Sequence, residues 1–249
     1  DVYKRQVVAG ALPHLLYNIK IDEESRERIE ELRERVLGRT DLSLVFYFNH
    51  TNVMDPLLVG NIARRIETRE DSQWIAPMSF HNTERRLKNI TYLFMAGVVK
   101  ACGIETPRVI QTYQVNNPKY GYTEMDSFKQ NKKFVRRLRD LGKRETNKSV
   151  SMIISPEGTR TKGALDEGEK GGLVDGGSLL APVLHIPIGI DFKGRQNENR
   201  WDFRRRVNIR LGEEFLQETR RPEDNQLEKL MVNLAQALPI SRRGHYNNL

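Results

Sequence analysis

The feature that most constrains this chain is a pair of short, largely apolar segments, Leu42–Phe48 and Val150–Ile154, each followed at once by a polar, chemistry-rich motif. Runs of this length, bounded by polar residues and rich in β-branched and aromatic side chains, read as buried strands. Further strand-like segments are Trp74–Met78, Arg108–Val115, Pro182–Ile190 and Val207–Leu211. Between them lie helical patterns. Asp22–Gly38 carries Ile29, Leu32 and Val36 on one stripe, and Pro56–Arg65 begins just after Asp55. Ile90–Ile104 is mostly apolar and reads as a buried helix containing an inert Cys102, Met125–Leu141 has a strongly basic face, and Pro222–Leu238 closes the chain. Strands alternating with helices predict a single α/β domain with a largely parallel central sheet flanked by helices. Residues 1–40 are expected to form an N-terminal helical segment and residues 41–249 the main domain.

Composition narrows the class. The chain has 249 residues and one cysteine, which excludes a disulfide-stapled scaffold. No run reaches the ~18 apolar residues of a membrane-spanning helix. Val7–Ile19 is apolar over 13 residues but interrupted by Pro13 and His14, and is read as a buried helix, an interfacial one, or the remnant of a longer anchor. The polar stretch Asp1–Gln6 is left out of the fold reasoning. A net charge of +8 implies an anionic partner: nucleic acid, anionic lipid or a phosphorylated substrate.

The first motif, Asn49-His50-Thr51-Asn52-Val53-Met54-Asp55-Pro56, follows a strand and opens a helix. Ligands bind at the carboxyl ends of strands in open α/β sheets. A turn of five residues can fold the Asp55 carboxylate onto one imidazole nitrogen of His50, fix its tautomer and leave the other nitrogen as a base. The plainer reading is a structural histidine, with Asp55 as helix N-cap before Pro56.

The second motif, Ser155-Pro156-Glu157-Gly158-Thr159-Arg160-Thr161-Lys162-Gly163, also follows a strand. Gly158 permits close backbone approach to a ligand, and Arg160 and Lys162 offer cations suited to phosphate. Lys170 and the glycines at 168, 171, 172, 176 and 177 extend this anion-friendly loop. An ordinary surface turn with a solvated charge cluster is the alternative. The chain lacks a G-x-S-x-G elbow, so Ser178 is a poor nucleophile, and it lacks a Walker A loop and metal-ligand motifs. A His–Asp pair without an enzyme nucleophile suggests that a substrate hydroxyl attacks an activated acyl group after His50 takes its proton.

N-H-x-x-x-x-D followed roughly a hundred residues later by P-E-G-T-R resembles the glycerolipid acyltransferase family, notably its 1-acylglycerol-3-phosphate acyltransferases. The resemblance covers roughly Leu42–Ile190. It implies a glycerol-3-phosphate acyltransferase-like fold, His50 as general base and Asp55 as its partner. It also implies acceptor binding by Pro156, Glu157, Gly158, Thr159 and Arg160. Lys170-Gly171-Gly172 resembles the family's basic-Gly element, and Ala181–Ile190 with Pro187 its last apolar strand. The implied reaction moves a fatty acyl group from acyl-CoA or acyl carrier protein to a glycerol-phosphate-type lipid hydroxyl, with no cofactor and no metal. Val109–Val115 departs from the family pattern, holding Gln111, Tyr113 and Gln114 where an arginine is usual. That leaves the acceptor open between lysophosphatidic acid and another lipid alcohol; a catalytically degenerate lipid-binding protein is the other alternative. The basic face of Lys129–Lys143 and the run Trp201–Arg206 combine cations with aromatics. They point to an anionic membrane surface as partner and to a cytoplasmic, peripherally membrane-associated protein, a solvated helix face and a strand-edge turn being the alternative. Nucleic acid is not expected as a partner, because no recognised motif appears and the basic residues are dispersed.

Overall fold

The computed structural model describes residues 13–52, 54–79, 97–99, 101–143, 149–158, 164–167, 173–193 and 205–248. Ten strands lie among them: β1 (Tyr17–Ile21), β2 (Ser43–Phe48), β3 (Gln73–Ile75), β4 (Met78–Ser79), β5 (Ile104–Glu105), β6 (Arg108–Val109), β7 (Val150–Ile154), β8 (Val183–Phe192), β9 (Arg205–Leu211) and β10 (Phe215–Gln217). The main sheet runs β1-β9-β8-β2-β7-β3-β5, with β10 also paired to β8, and β4 and β6 form a separate parallel pair. Among the described residues only the β8–β9 and β8–β10 pairings are antiparallel. The architecture is therefore α/β, with a largely parallel sheet flanked by helices.

The helices that flank it among the described residues include α1 (Glu23–Leu37), α2 (Asp55–Ile66), α3 (Glu124–Gly142), α4 (Leu173–Ser178) and α5 (Gln226–Gln236). The alternation of β2 divides the core between the two faces. Leu44, Phe46 and Phe48 pack with Ile29, Leu32 and Val36 of α1 and Leu58, Ile62 and Ile66 of α2. Val45 and Tyr47 pack with Phe134 and Leu138 of α3 and Leu230 and Leu234 of α5. Asp22 caps α1 by accepting the Ser25 N–H at 3.0 Å, so the charged helix Asp22–Gly38 forms as its stripe predicts.

Several expectations change. Tyr17–Ile19 is not helical: β1 alternates buried Tyr17 and Ile21 with exposed Asn18 and Lys20 and pairs in parallel with β9. The segment read as helical up to residue 40 thus contributes an edge strand to the sheet. Trp74–Met78 is split into β3 and β4 at Ala76-Pro77, since proline cannot donate to a ladder. Arg108–Val115 is a strand for two residues only, then a 3₁₀ turn, Thr112–Gln114. Much of Ile90–Ile104 lies outside the described residues; Val98, Val99 and Cys102 are buried there, and Ile104 belongs to β5. Gly176 and Gly177 do not extend an anion loop. They lie in α4: a Cβ on Gly177 would come 3.2 Å from the Tyr47 hydroxyl and one on Gly176 3.1 Å from Leu138, so their smallness seats α4 against the sheet and α3. Among the described residues no helix is long and apolar enough to cross a membrane.

Candidate functional site

In the parallel register of β2 and β7, Tyr47 stands beside Ile154. The two motifs therefore leave adjacent strands at the same edge of the sheet. Asn49 closes the end of β2: its side chain accepts the Ile190 N–H at 2.7 Å and donates to the Ile190 carbonyl at 2.9 Å, continuing the β8 ladder. His50 is the next residue and turns out of the sheet, with its ring edge-to-face against Phe48 at 5.5 Å.

His50 Nδ1 lies 3.2 Å from Asp55 Oδ2. The carboxylate is fully buried and the imidazole 23% exposed, so the pair has a dry end and a wet end. Oδ2 also accepts the backbone N–H groups of Thr51 and Asn52, each at 2.6 Å. Asn52 Oδ1 accepts the Met54 N–H at 3.0 Å, which tightens the same turn. This corrects the N-cap reading of Asp55: Met54 occupies the cap position with no side-chain cap bond, and Asp55, inside the helix, aims its carboxylate back at the loop. Because an ionised carboxylate only accepts, Nδ1 carries the proton and Nε2 is the basic nitrogen.

The second motif meets the first through Glu157. This side chain is buried, its Oε2 accepts the His50 backbone N–H at 2.8 Å, and its Oε1 accepts the Asp166 N–H at 3.0 Å. Leu165, beside Asp166, bonds through its backbone to Arg242 and His245, so Glu157 ties the His50 loop to the C-terminal segment. Ser155 to Gly158 form a turn that Pro156 enters and Gly158 leaves at φ 67°, a conformation that favours glycine. The Gly158 carbonyl accepts from Gln111 Nε2. The segment Val109–Val115 thus braces the motif with an amide.

Of the residues singled out in the sequence, the structure brings together His50, Asp55, Pro156, Glu157 and Gly158. Thr159, Arg160 and Lys170 lie outside the described residues, as do Thr161, Lys162 and Gly163. Thr51 Oγ1, Ser155 Oγ and Asp55 Oδ1 are buried without a hydrogen-bond partner among the described residues. No cluster of metal-ligating side chains is found among those residues. Ser178 is buried and donates to Gln217 and Gln226. Cys102 is buried, and its thiol is pushed above the ordinary range by burial.

Sequence reasoning missed a second histidine. His185 of β8 is buried on the other face of the sheet, stacked between Tyr47 and Phe215. Nδ1 is 2.8 Å from the Tyr47 hydroxyl and Nε2 is 2.9 Å from Gln217 Oε1. The amide oxygen only accepts, so Nε2 carries the proton and Nδ1 accepts from Tyr47. Burial lowers its pKa to about 4, partly opposed by the Gln217 bond. No spacing rule marks it, because its partners come from distant strands and α5.

No family model matches the chain, and no curated protein matches it in sequence. Among solved structures it is similar to the 1-acyl-sn-glycerophosphate (LPA) acyltransferase PlsC from Thermotoga maritima. The identity is 14%, the match covers 92% of this chain and 91% of that one, and the TM-score is 0.41.

Proposed function

We propose that the chain is an O-acyltransferase of the glycerolipid type, with His50 as general base. The observation that carries the reading is the His50–Asp55 pair: a fully buried carboxylate held by two backbone N–H groups faces Nδ1 of a partly exposed imidazole at the carboxyl end of a parallel strand. The two sequence motifs add the family resemblance, and their meeting at one sheet edge is what a shared site requires.

In this mechanism His50 Nε2 takes the proton of an acceptor hydroxyl. The oxygen attacks the acyl carbonyl of a thioester, acyl-CoA or acyl carrier protein. A C–O bond forms, the C–S bond breaks, and the leaving thiolate takes the proton back from the imidazolium. Asp55 stabilises the cation formed between these transfers. Arg160 and Lys170 are proposed to hold the phosphate of the acceptor. Acyl transfer by purified protein to a panel of lyso-lipids, glycerol phosphate and their dephosphorylated analogues tests the reading. His50→Ala is expected to lower kcat by about 10²–10⁴ and stay folded. A folded His50→Ala protein with turnover near wild type overturns it.

A further inference from the structure

The outer face of α3 carries a surface that the proposed reaction does not use. Between Lys129 and Arg139 the helix has six basic residues and no acidic one. Arg137 is paired with Glu105. Lys129, Lys132 and Arg136 are exposed; Lys129 feels the Asp126 carboxylate near the start of the helix. The helix's own acids stand at its ends: Glu124 and Asp126 in the first turn, where Asp126 closes a capping box with Thr123, and Asp140, which pairs with Lys143. The same face exposes apolar groups. Phe128 is 62% exposed, Met125 58% and Val135 36%. At 3.6 residues per turn these six side chains share one arc of about 120°, turned away from buried Phe134 and Leu138. Lys132 lies over the Phe128 ring at 5.2 Å.

We infer that this face of α3 docks on an anionic phospholipid bilayer. Cations alone would suit any polyanion. Exposed Phe128, Met125 and Val135 among them favour a surface that accepts apolar side chains below a layer of negative charge, as a bilayer interface does and a phosphate backbone does not. The N-terminal half of α3 is also coupled to the candidate site. Asn131, on its flank, accepts the Ile110 N–H at 2.9 Å and donates to the Ile110 carbonyl at 2.8 Å, and the next residue, Gln111, donates to the Gly158 carbonyl. A docked α3 therefore holds the His50–Glu157 edge beside the membrane through a short run of fixed contacts.

The test is co-sedimentation of the full chain with vesicles of phosphatidylcholine alone or with about one third phosphatidylglycerol. Wild type is expected to bind the anionic vesicles only, and less as salt rises. K129Q/K132Q/R136Q should weaken binding about a hundredfold, from roughly 1 kcal/mol per cation. Phe128→Ser should weaken it at high salt as well, where screening leaves the apolar contribution. A control, K20Q/R26Q/R33Q, removes the same charge from β1 and α1. No vesicle binding by wild type, equal loss in the control, or tight duplex binding unaffected by Phe128→Ser would each overturn the assignment. Unchanged melting temperatures establish that the variants are folded. The measurement involves no acyl transfer, so its failure leaves the catalytic reading standing.

Discussion

The Glu157 carboxylate accepts the backbone N–H of His50 at 2.8 Å, so the second motif positions the first. Both its oxygens take backbone N–H groups, and the side chain is buried. An amide has only one accepting oxygen. Glu157→Gln therefore sets an NH₂ against either the His50 or the Asp166 N–H, at a cost of about 1–3 kcal/mol. The expected result is a melting temperature lower by several degrees and a reduced kcat, with acceptor KM near wild type. A raised KM with kcat unchanged would show instead that Glu157 holds the acceptor, as the family resemblance implies.

His185 makes stability depend on pH. Its folded pKa, about 4, is below the ordinary 6.5, so folding favours the neutral ring. The contribution is complete above pH 6.5 and is lost as pH falls towards 4. At pH 5 the loss is on the order of 2 kcal/mol. His185→Gln removes the titration. Denaturant unfolding at pH 7.5 and pH 5 should show wild type losing more stability than the variant, by about that amount. Equal losses would mean that His185 is not held neutral.

The strands beside the site were legible because their partners impose nothing unusual on them. Val150–Ile154 is buried at every position, and its apolar run has the boundaries of β7. His50 and Asp55 were legible because their separation in sequence is also their separation along one turn. The bond between Glu157 and His50 was not, since it joins residues 107 apart. Tyr17–Ile21 did carry a signal, apolar residues alternating with Asn18 and Lys20, but the apolar run before it, read at helical length, concealed the change of period. The break after Val109 reflects side-chain bonds to α3 and to Gly158 that local propensity cannot anticipate.

At the opposite end of the sheet, Glu67 and Arg69 form a buried ion pair. The guanidinium also donates to the carbonyls of Arg39 and Leu42, and Ser151 of β7 donates to Glu67. Glu67→Ala leaves a buried, uncompensated cation and should destabilise by about 3–5 kcal/mol. Lying away from the candidate site, it should change kcat little in whatever protein remains folded. Chemical denaturation beside kcat per folded molecule separates the two effects. A large fall in kcat per folded molecule would mean that this pair reaches the chemistry.

Asp55 distinguishes charge from geometry in the His50 pair. In Asp55→Asn the side-chain oxygen can take the place of Oδ2, because three donors converge there: Thr51 N, Asn52 N and His50 Nδ1. The opposite orientation would set the amide NH₂ against all three. The Nδ1–H tautomer is therefore kept, and what is lost is the charge that stabilises the imidazolium. A hydrogen bond to a charged group contributes about 1.5–3 kcal/mol, so kcat should fall by roughly 10–100-fold with little change in melting temperature. That is less than the ~10⁴ seen when the same exchange imposes the wrong tautomer in a serine protease triad. Asp55→Ala removes the acceptor altogether. It strands the N–H groups of Thr51 and Asn52, which should cost about 1–3 kcal/mol for each that stays buried, besides the activity. The measurements are kcat and melting temperature for both variants. A loss near 10⁴ in Asp55→Asn would show that the amide flips and the tautomer is not fixed by the turn. An undiminished kcat would show that His50 needs no carboxylate, and the base assignment would fall with it.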